Sequence, residues 1–363
     1  MASIKLKGDT SGEVTISAPA VAGTTTLELP ATSSTLATQN SLGVRNLIIN
    51  GDMRIDQRNA GASVTPSNSY ALDRWTFATS VASKFTAQQS TTTTDTFKNS
   101  LLLTSSSAYS VGSSDILALQ QKIEGYNIAH LNWGTASASS VTLSFWVRSS
   151  LTGTFGGSIA NSGYTRSYPF SYVISSANTW EKKTITITGD TTGSWSTDNS
   201  TGMRVIFGIG VGSTYSGTSG AWTGSELYSA TGATSVVGTS GATFYITGVQ
   251  LEEGDTATPF EHRPYDMELA RCYRYYEKSG LNNAISWSGD TTNGSTYWDV
   301  RAYMIEKRAA PTITVGTEYA KNGFGSAPSI SWEATRSFRA YTVANSTGGG
   351  GYFVFGWTAE AEL

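Results

Sequence analysis

His130 and His262 are the only two histidines in the 363-residue sequence, so any Ser–His–Asp arrangement must pass through one of them. No G-x-S-x-G, G-x-x-x-x-G-K-[ST] or H-E-x-x-H occurs anywhere, which leaves a hydrolase elbow, a phosphate loop and a zincin site without their residues. His130, in Asn127–Leu131, reads as a partly buried structural histidine. His262, between Glu261 and Arg263, reads as a hydrogen-bonded one in a charged segment. Paired carboxylates for glycoside cleavage need only the right separation in space, but Asp and Glu gather away from the aromatic-rich runs. No catalytic residue is assigned. The single Cys272 excludes an intrachain disulfide and a thiolate metal cage.

What the aromatic residues can do is hold sugar. Saccharides present flat C–H faces that stack on exposed rings, and their hydroxyls hydrogen-bond planar polar side chains. Trp146 alternates with the apolar residues of its run and shares a face with Thr142, Ser144 and Arg148. Tyr215 and Trp222 lie in a Gly/Ser/Thr-rich stretch between Gly208 and Gly241, too long for a hairpin turn and read as an excursion from a sheet edge. The carbohydrate-contact residues expected from the sequence are therefore Trp146, Arg148, Tyr215 and Trp222.

The elements that must carry these residues are strands. Only 14% of the chain is charged, Ser and Thr supply about a hundred residues, and 38 glycines and 11% aromatics accompany them. That composition suits strands and turns better than helices. Val141, Leu143, Phe145 and Val147 alternate with polar residues, as do Ile185 and Ile187. Met203, Val205, Phe207, Ile209 and Val211 keep one parity throughout. Phe244 and Ile246 begin another run, and Val249 and Leu251 continue it on the opposite parity around Gly248, as a bulge produces. Many short alternating strands predict an antiparallel sandwich.

The first 69 residues hold no aromatic. Within 1–41 the apolar residues come in alternating pairs, Ile4/Leu6, Val14/Ile16 and Leu27/Leu29, which predicts short strands too lean to bury a core alone. Residues 42–265 form the sandwich. Between Glu252 and Lys278, 11 of 27 residues are charged, and Leu269, Cys272, Tyr273 and Tyr276 follow Asp266 at helical spacing. This predicts a capped helix near 266–276 in a charged joint, 266–279, where ion pairs fix one body against another. From 280 to 363 alternation returns, in Tyr297–Ile305, Ile313/Val315, Ile330/Trp332 and Phe353/Phe355/Trp357, with Gly348–Gly351 read as a turning loop. The fold class is all-β.

Several partners lose support. A net charge of −3 without a basic run gives no footprint for nucleic acid. No apolar run reaches the roughly 18 residues that cross a bilayer, and Met1–Asp9 has no signal-peptide core.

Asn46–Met53, Asp56–Gly61, Asp73-Arg74-Trp75, Gln121–Gly125, Ser144–Ser149, Thr179-Trp180-Glu181, Gly248–Gly254, Ala257–Pro264 and Glu268–Tyr276 occur in that order. Together they resemble the jelly-roll domain of tailed-bacteriophage tail-fibre proteins, especially those of marine and cyanobacterial phages. Gly8–Gly12 and Leu27–Pro30 resemble the stalks of such fibres, and Trp357–Leu363 their C-terminal β domains. The resemblance implies a jelly roll and a homotrimeric protein exposed on the virion. It also implies a 1–41 segment that attaches to other tail or capsid proteins, and distal domains that bind host surface polysaccharide. A purely structural virion component and a polysaccharide depolymerase are the alternatives. Asn46–Met53 is also similar to the opening strand of calcium-containing carbohydrate-binding jelly rolls. Arg54 stands where that pattern favours Glu, however, and Thr247-Gly248 where a second acid belongs, so neither metal nor cofactor is expected.

Overall fold

The computed structural model describes residues 3–7, 13–17 and 45–363, in two units, Met1–Gly43 and Val44–Leu363. In the first, Ser3–Lys7 (β1) and Glu13–Ser17 (β2) pair as an antiparallel hairpin, with Ile4 opposite Ile16 and Leu6 opposite Val14. The two expected pairs thus share a register. The Leu27/Leu29 pair lies outside the described residues.

The second unit begins with Tyr70–Leu72 (β3), Trp75–Thr79 (β4), Phe85–Ser90 (β5), Ser100–Ser105 (β6), Ile116–Glu124 (β7) and Val141–Ser149 (β8). Gly153–Asn161 (β9), Ser167–Ile174 (β10), Glu181–Ile187 (β11) and Thr201–Val211 (β12) follow. Ser216–Gly217 (β13) and Ser229–Ala230 (β14) form a small parallel pair before Thr243–Glu253 (β15). Two sheets result, ordered β10-β9-β12-β7-β4-β3 and β11-β8-β15-β6-β5. Successive strands from β6 to β9 alternate between the sheets and then return as β10, β11, β12 and β15. The resulting orders, 6-15-8-11 and 7-12-9-10, are those of a jelly roll.

The inward residues of both sheets make one core. Val141, Leu143, Phe145, Val147, Met203, Val205, Phe207, Ile209, Phe244 and Ile246 are all fully buried. Each contributes about 1.5–3 kcal/mol by leaving water. The expected bulge is present: β15 shifts register against β8 between Thr247 and Gln250. Gly248 holds φ +60° there, and a Cβ would sit 2.4 Å from the Phe97 ring. The shift keeps Val249 and Leu251 in the core after Phe244 and Ile246.

The one α-helix among the described residues, Tyr265–Tyr273 (α1), starts after Pro264, so Asp266 lies in its first turn instead of capping it. There its carboxylate favours the positive end of the helix dipole. Arg274 ends the helix, and Tyr276 belongs to a strand, Tyr276–Lys278 (β16). The remaining strands are Ile285–Thr291 (β17), Thr296–Ala302 (β18), Thr312–Asn322 (β19), Ser329–Ser331 (β20), Ser337–Val343 (β21) and Gly348–Glu360 (β22). One edge of β22 pairs with β16 and β17, the other with β19, while β18-β21-β20 form a separate sheet. Ile285, Phe324, Phe338, Phe353, Phe355 and Trp357 fill the space between these sheets. The Gly348–Gly351 run is therefore strand and not a turning loop. Gly351 faces Gly289 across the ladder, where a Cβ would strike the Thr291 methyl at 2.3 Å.

Charged side chains line the seam between jelly roll and C-terminal sheets. Arg274 donates to Glu124 at 2.9 and 2.5 Å, and the Tyr275 hydroxyl donates to the same carboxylate at 2.6 Å. Arg74 and Arg58 pair with Glu362, Arg263 with Glu268 and Lys307 with Glu277. Buried charges persist only when paired and hydrogen-bonded in this way.

Candidate functional site

The outer face of the five-stranded sheet is built by the residues that alternate with its core set. Its two halves differ. Towards the start of β8, Thr142, Ser144, Gln250 and Glu252 are buried beneath the segment 254–261. Thr142 donates to the Gly254 carbonyl at 2.9 Å, the Glu252 carboxylate accepts from the Thr258 backbone at 2.9 Å, and Gln250 accepts from the Glu261 backbone at 2.8 Å. That half is occupied by the chain itself.

The other half is open. Trp146 stands between Lys182 of β11 and Thr247 of β15, half-exposed. One row further, Arg148 faces Tyr245, which in turn faces Leu102, and Leu102 faces Gln88. The Arg148 guanidinium lies 4.9 Å from the centre of the Tyr245 ring, and its Nε donates to the Asn178 carbonyl at 2.8 Å. Trp180, just before β11, approaches Tyr245 edge-on at 6.1 Å. Arg148 has no carboxylate partner among the described residues. Three aromatic rings, one guanidinium, a lysine and a glutamine thus share a half-exposed patch. Rings supply flat apolar contact there, and the cationic and amide groups supply donors aimed at hydroxyl or carboxylate oxygens.

The four residues expected from the sequence separate into three places. Trp146 and Arg148 share the open face. Trp222 lies at the far end of β11, where its Nε1 donates to the Thr188 carbonyl at 2.7 Å. Its ring meets Trp133, Trp195 and Tyr168 edge-on at 5.2–5.6 Å. It fills a tryptophan cluster. Tyr215 belongs to the excursion that folds back over the outer face of the six-stranded sheet. It meets Tyr228 at 5.9 Å, and Tyr228 packs on Tyr164. Trp180 and Tyr245 were missed. Tyr245 does sit on the outward parity between Phe244 and Ile246, a signal present in the sequence, but its neighbours come from distant strands.

Among the described residues neither histidine side chain hydrogen-bonds a serine, cysteine or carboxylate. His130 is exposed and not partly buried, because the 3₁₀ turn Ala129–Leu131 turns Leu131 inward and His130 out. His262 makes ring contacts with Phe97 at 5.6 Å and Phe260 at 5.0 Å in place of the expected hydrogen bond. Burial pushes the Asp73 carboxyl up to about 6, against hydrogen bonds from Gln57 and the nearby Arg58 charge. Asp73 is sealed from solvent, however, so its shift marks the packed seam and not a reactive group. Burial likewise raises the Cys272 thiol. A cavity of about 350 Å³ at the seam is lined by Arg58, Tyr70, Tyr276 and Glu360 among others. Arg58 is stacked on both tyrosines there and paired with Glu360 and Glu362, so its charge serves the fold. For calcium the donors do not fit: Asp52 already holds the Arg54 guanidinium at 2.5 Å. Among the described residues no helix is long and apolar enough to cross a membrane.

No protein-family description and no curated protein matches the chain. Among solved structures it is similar to the enzymatically active domain of tailspike protein 4 of bacteriophage CBA120. That similarity runs over 58% of this chain and 21% of the other, at 13% identity and a TM-score of 0.33. A sugar-binding protein of Bacteroides thetaiotaomicron, described there as putative, overlaps 58% of this chain and 100% of its own, at 13% identity and a TM-score of 0.35. The module TmCBM61, solved with β-1,4-galactotriose, overlaps 58% of this chain and 100% of its own at 10% identity and a TM-score of 0.30. The strand connectivity itself, and not these overlaps, defines the class: a jelly-roll β-sandwich protein with an additional C-terminal pair of sheets.

Proposed function

We propose that the chain is a glycan-binding component of a tailed-bacteriophage fibre or spike, assembled as a homotrimer on the virion surface. Its N-terminal segment would contact other tail or capsid proteins. The open half of the five-stranded sheet carries the glycan reading, because Trp146, Trp180 and Tyr245 offer rings beside an Arg148 that no carboxylate of the described residues holds. The ordered series of fibre-like motifs supports the phage reading. Lean alternating pairs in residues 1–41 support assembly, since such a segment gains its apolar cover from other copies. Weak sugar contacts on each of three subunits then gain avidity through effective concentration.

A glycan array probed with the full-length protein tests this reading. We expect selective binding that the Trp146→Ala/Tyr245→Ala variant weakens at least tenfold, a loss of about 1.4 kcal/mol, with the variant still folded at the assay temperature. Binding that survives this double substitution would place the sugar elsewhere. Release of soluble sugar from host polysaccharide would instead identify a depolymerase.

A further inference from the structure

The C-terminal sheet β18-β21-β20 has one face on the core and one in water. Tyr297, Phe338, Ala340 and Ile330 point inward. Trp298, Val300, Arg339, Tyr341 and Val343 stand on the other parity, and Trp298 and Val300 are 44% and 63% exposed. On this face Arg339, from the central strand, lies between two tryptophans. Its guanidinium carbon is 4.1 Å from the centre of the Trp298 ring on one side and 4.8 Å from Trp332 on the other. Tyr341 packs beside Trp298 at 4.8 Å.

Three features of this cluster point to a ligand. Trp332 is 78% exposed, the most exposed of the chain's large apolar residues among those described. It also holds a left-handed backbone, φ +60°, which costs a bulky side chain energy and persists only where the surroundings impose it. Finally, Arg339 has no carboxylate partner among the described residues; its Nε reaches only the Ser331 hydroxyl, at 3.3 Å. A guanidinium held flat by two rings keeps its outer N–H groups in plane and free for a bidentate anion. Rings beside it present apolar faces of the size of a pyranose.

We infer that this face is a second saccharide site, separate from the jelly-roll face, and that it selects acidic polysaccharide, an anionic group on Arg339 with sugar rings on Trp332 and Trp298. A carboxylate and a sulfate share the required chemistry. A neutral glycan would leave the Arg339 charge unanswered.

Affinity electrophoresis of the full-length protein through gels containing polygalacturonate, dextran sulfate or neutral dextran tests this inference. We expect retardation by at least one acidic polymer, weakened by salt, and none by dextran; which acidic polymer retards tells carboxylate from sulfate. Arg339→Gln and Trp332→Ala should each weaken that retardation at least tenfold. Arg339→Lys, which keeps the charge but not the plane, should restore it only in part. Retardation that falls in Arg339→Gln and Trp332→Ala but persists, at least in part, in Trp146→Ala/Tyr245→Ala separates failure of this site from failure of the jelly-roll face. Equal retardation of wild type, Arg339→Gln and Trp332→Ala would overturn the inference, as would equal retardation by neutral dextran. A change in sedimentation mass of Trp332→Ala would overturn it too, by assigning the face to another copy of the chain. Melting temperatures of both variants should match the wild type, since neither side chain is in the core.

Discussion

Cations at the seam and cations on the open sheet faces live in opposite circumstances. At the seam Arg74, Arg263, Arg274 and Lys307 each meet a carboxylate, and all but Arg274 are almost wholly buried. On the faces Arg148 and Arg339 lie against rings, with no counter-charge among the described residues. A paired, buried cation answers to the fold, whereas a stacked one whose charge is unanswered remains available to something outside the chain. The two sets should therefore respond to substitution in opposite ways: stability should collapse at the seam and binding should fall on the faces.

The largest effect is expected at Lys307. Its ammonium is fully enclosed, pairs with Glu277 and donates to the Tyr273 carbonyl. Lys307→Met leaves the Glu277 carboxylate buried without its cation, which should cost roughly 3–5 kcal/mol in chemical denaturation followed by tryptophan fluorescence. Replacing both partners, Lys307→Met with Glu277→Leu, should recover much of that loss, because two buried charges then leave together. A single variant as stable as the wild type would break the contrast at its strongest point.

A middle-sized effect follows from Asp73. Its folded-state carboxyl titrates near 6 where an unfolded one titrates at 3.8, with burial as the main cause. Between those values the native state binds a proton that the unfolded state does not, so this group's contribution to stability rises as pH falls from about 6 to 4 and is lost above 6. The upper limit is about 3 kcal/mol. Asp73→Asn cannot titrate, so the stability difference between wild type and variant should shift in favour of the wild type across that window. A difference that stays flat from pH 4 to 6.5 would show that Asp73 ionises normally inside the seam.

Much of the fold was legible because local alternation decides it. Val141–Arg148 assigns Phe145 inward and Trp146 outward, and the structure keeps both. The change of parity at Gly248 marked the bulge. Other features were hidden because distant chain decides them. The meeting of Arg148 with Tyr245 requires β8 to pair with β15, strands about a hundred residues apart, and nothing local encodes that register. Trp222 sits among glycines and serines without periodicity, so its tryptophan partners could not be read. The Gly348–Gly351 run has a turn's composition, yet the β17 ladder, which pairs Gly351 with Gly289 and Gly348 with Thr291, makes it strand.

The residues that carry the fibre-like resemblance turn out to be structural. Asn50 accepts from the Ile55 backbone and, through its carbonyl, from Trp75 Nε1. Gln121 bonds both backbone groups of Ile49, and Arg263 donates to Ile48 and Glu268. These groups fix the opening segment against the jelly roll and the helix. Of the recognisable motifs, only Ser144–Ser149 and Thr179-Trp180-Glu181 bring rings or an arginine to the open face.

The smallest stability effect is expected where the binding effect is largest. Arg148→Gln and Arg339→Gln each remove a half-exposed cation whose hydrogen bonds reach only a carbonyl and a hydroxyl. Surface changes of this kind stay within about 0.5 kcal/mol, so both variants should denature with the wild type. If either lost stability comparable to Lys307→Met, its guanidinium would be holding the sheet together, and stacking without a counter-charge would no longer distinguish a recognition surface from glue. If both keep their stability and lose sugar binding, each at its own face, the contrast between seam and surface stands on measurements that share no readout.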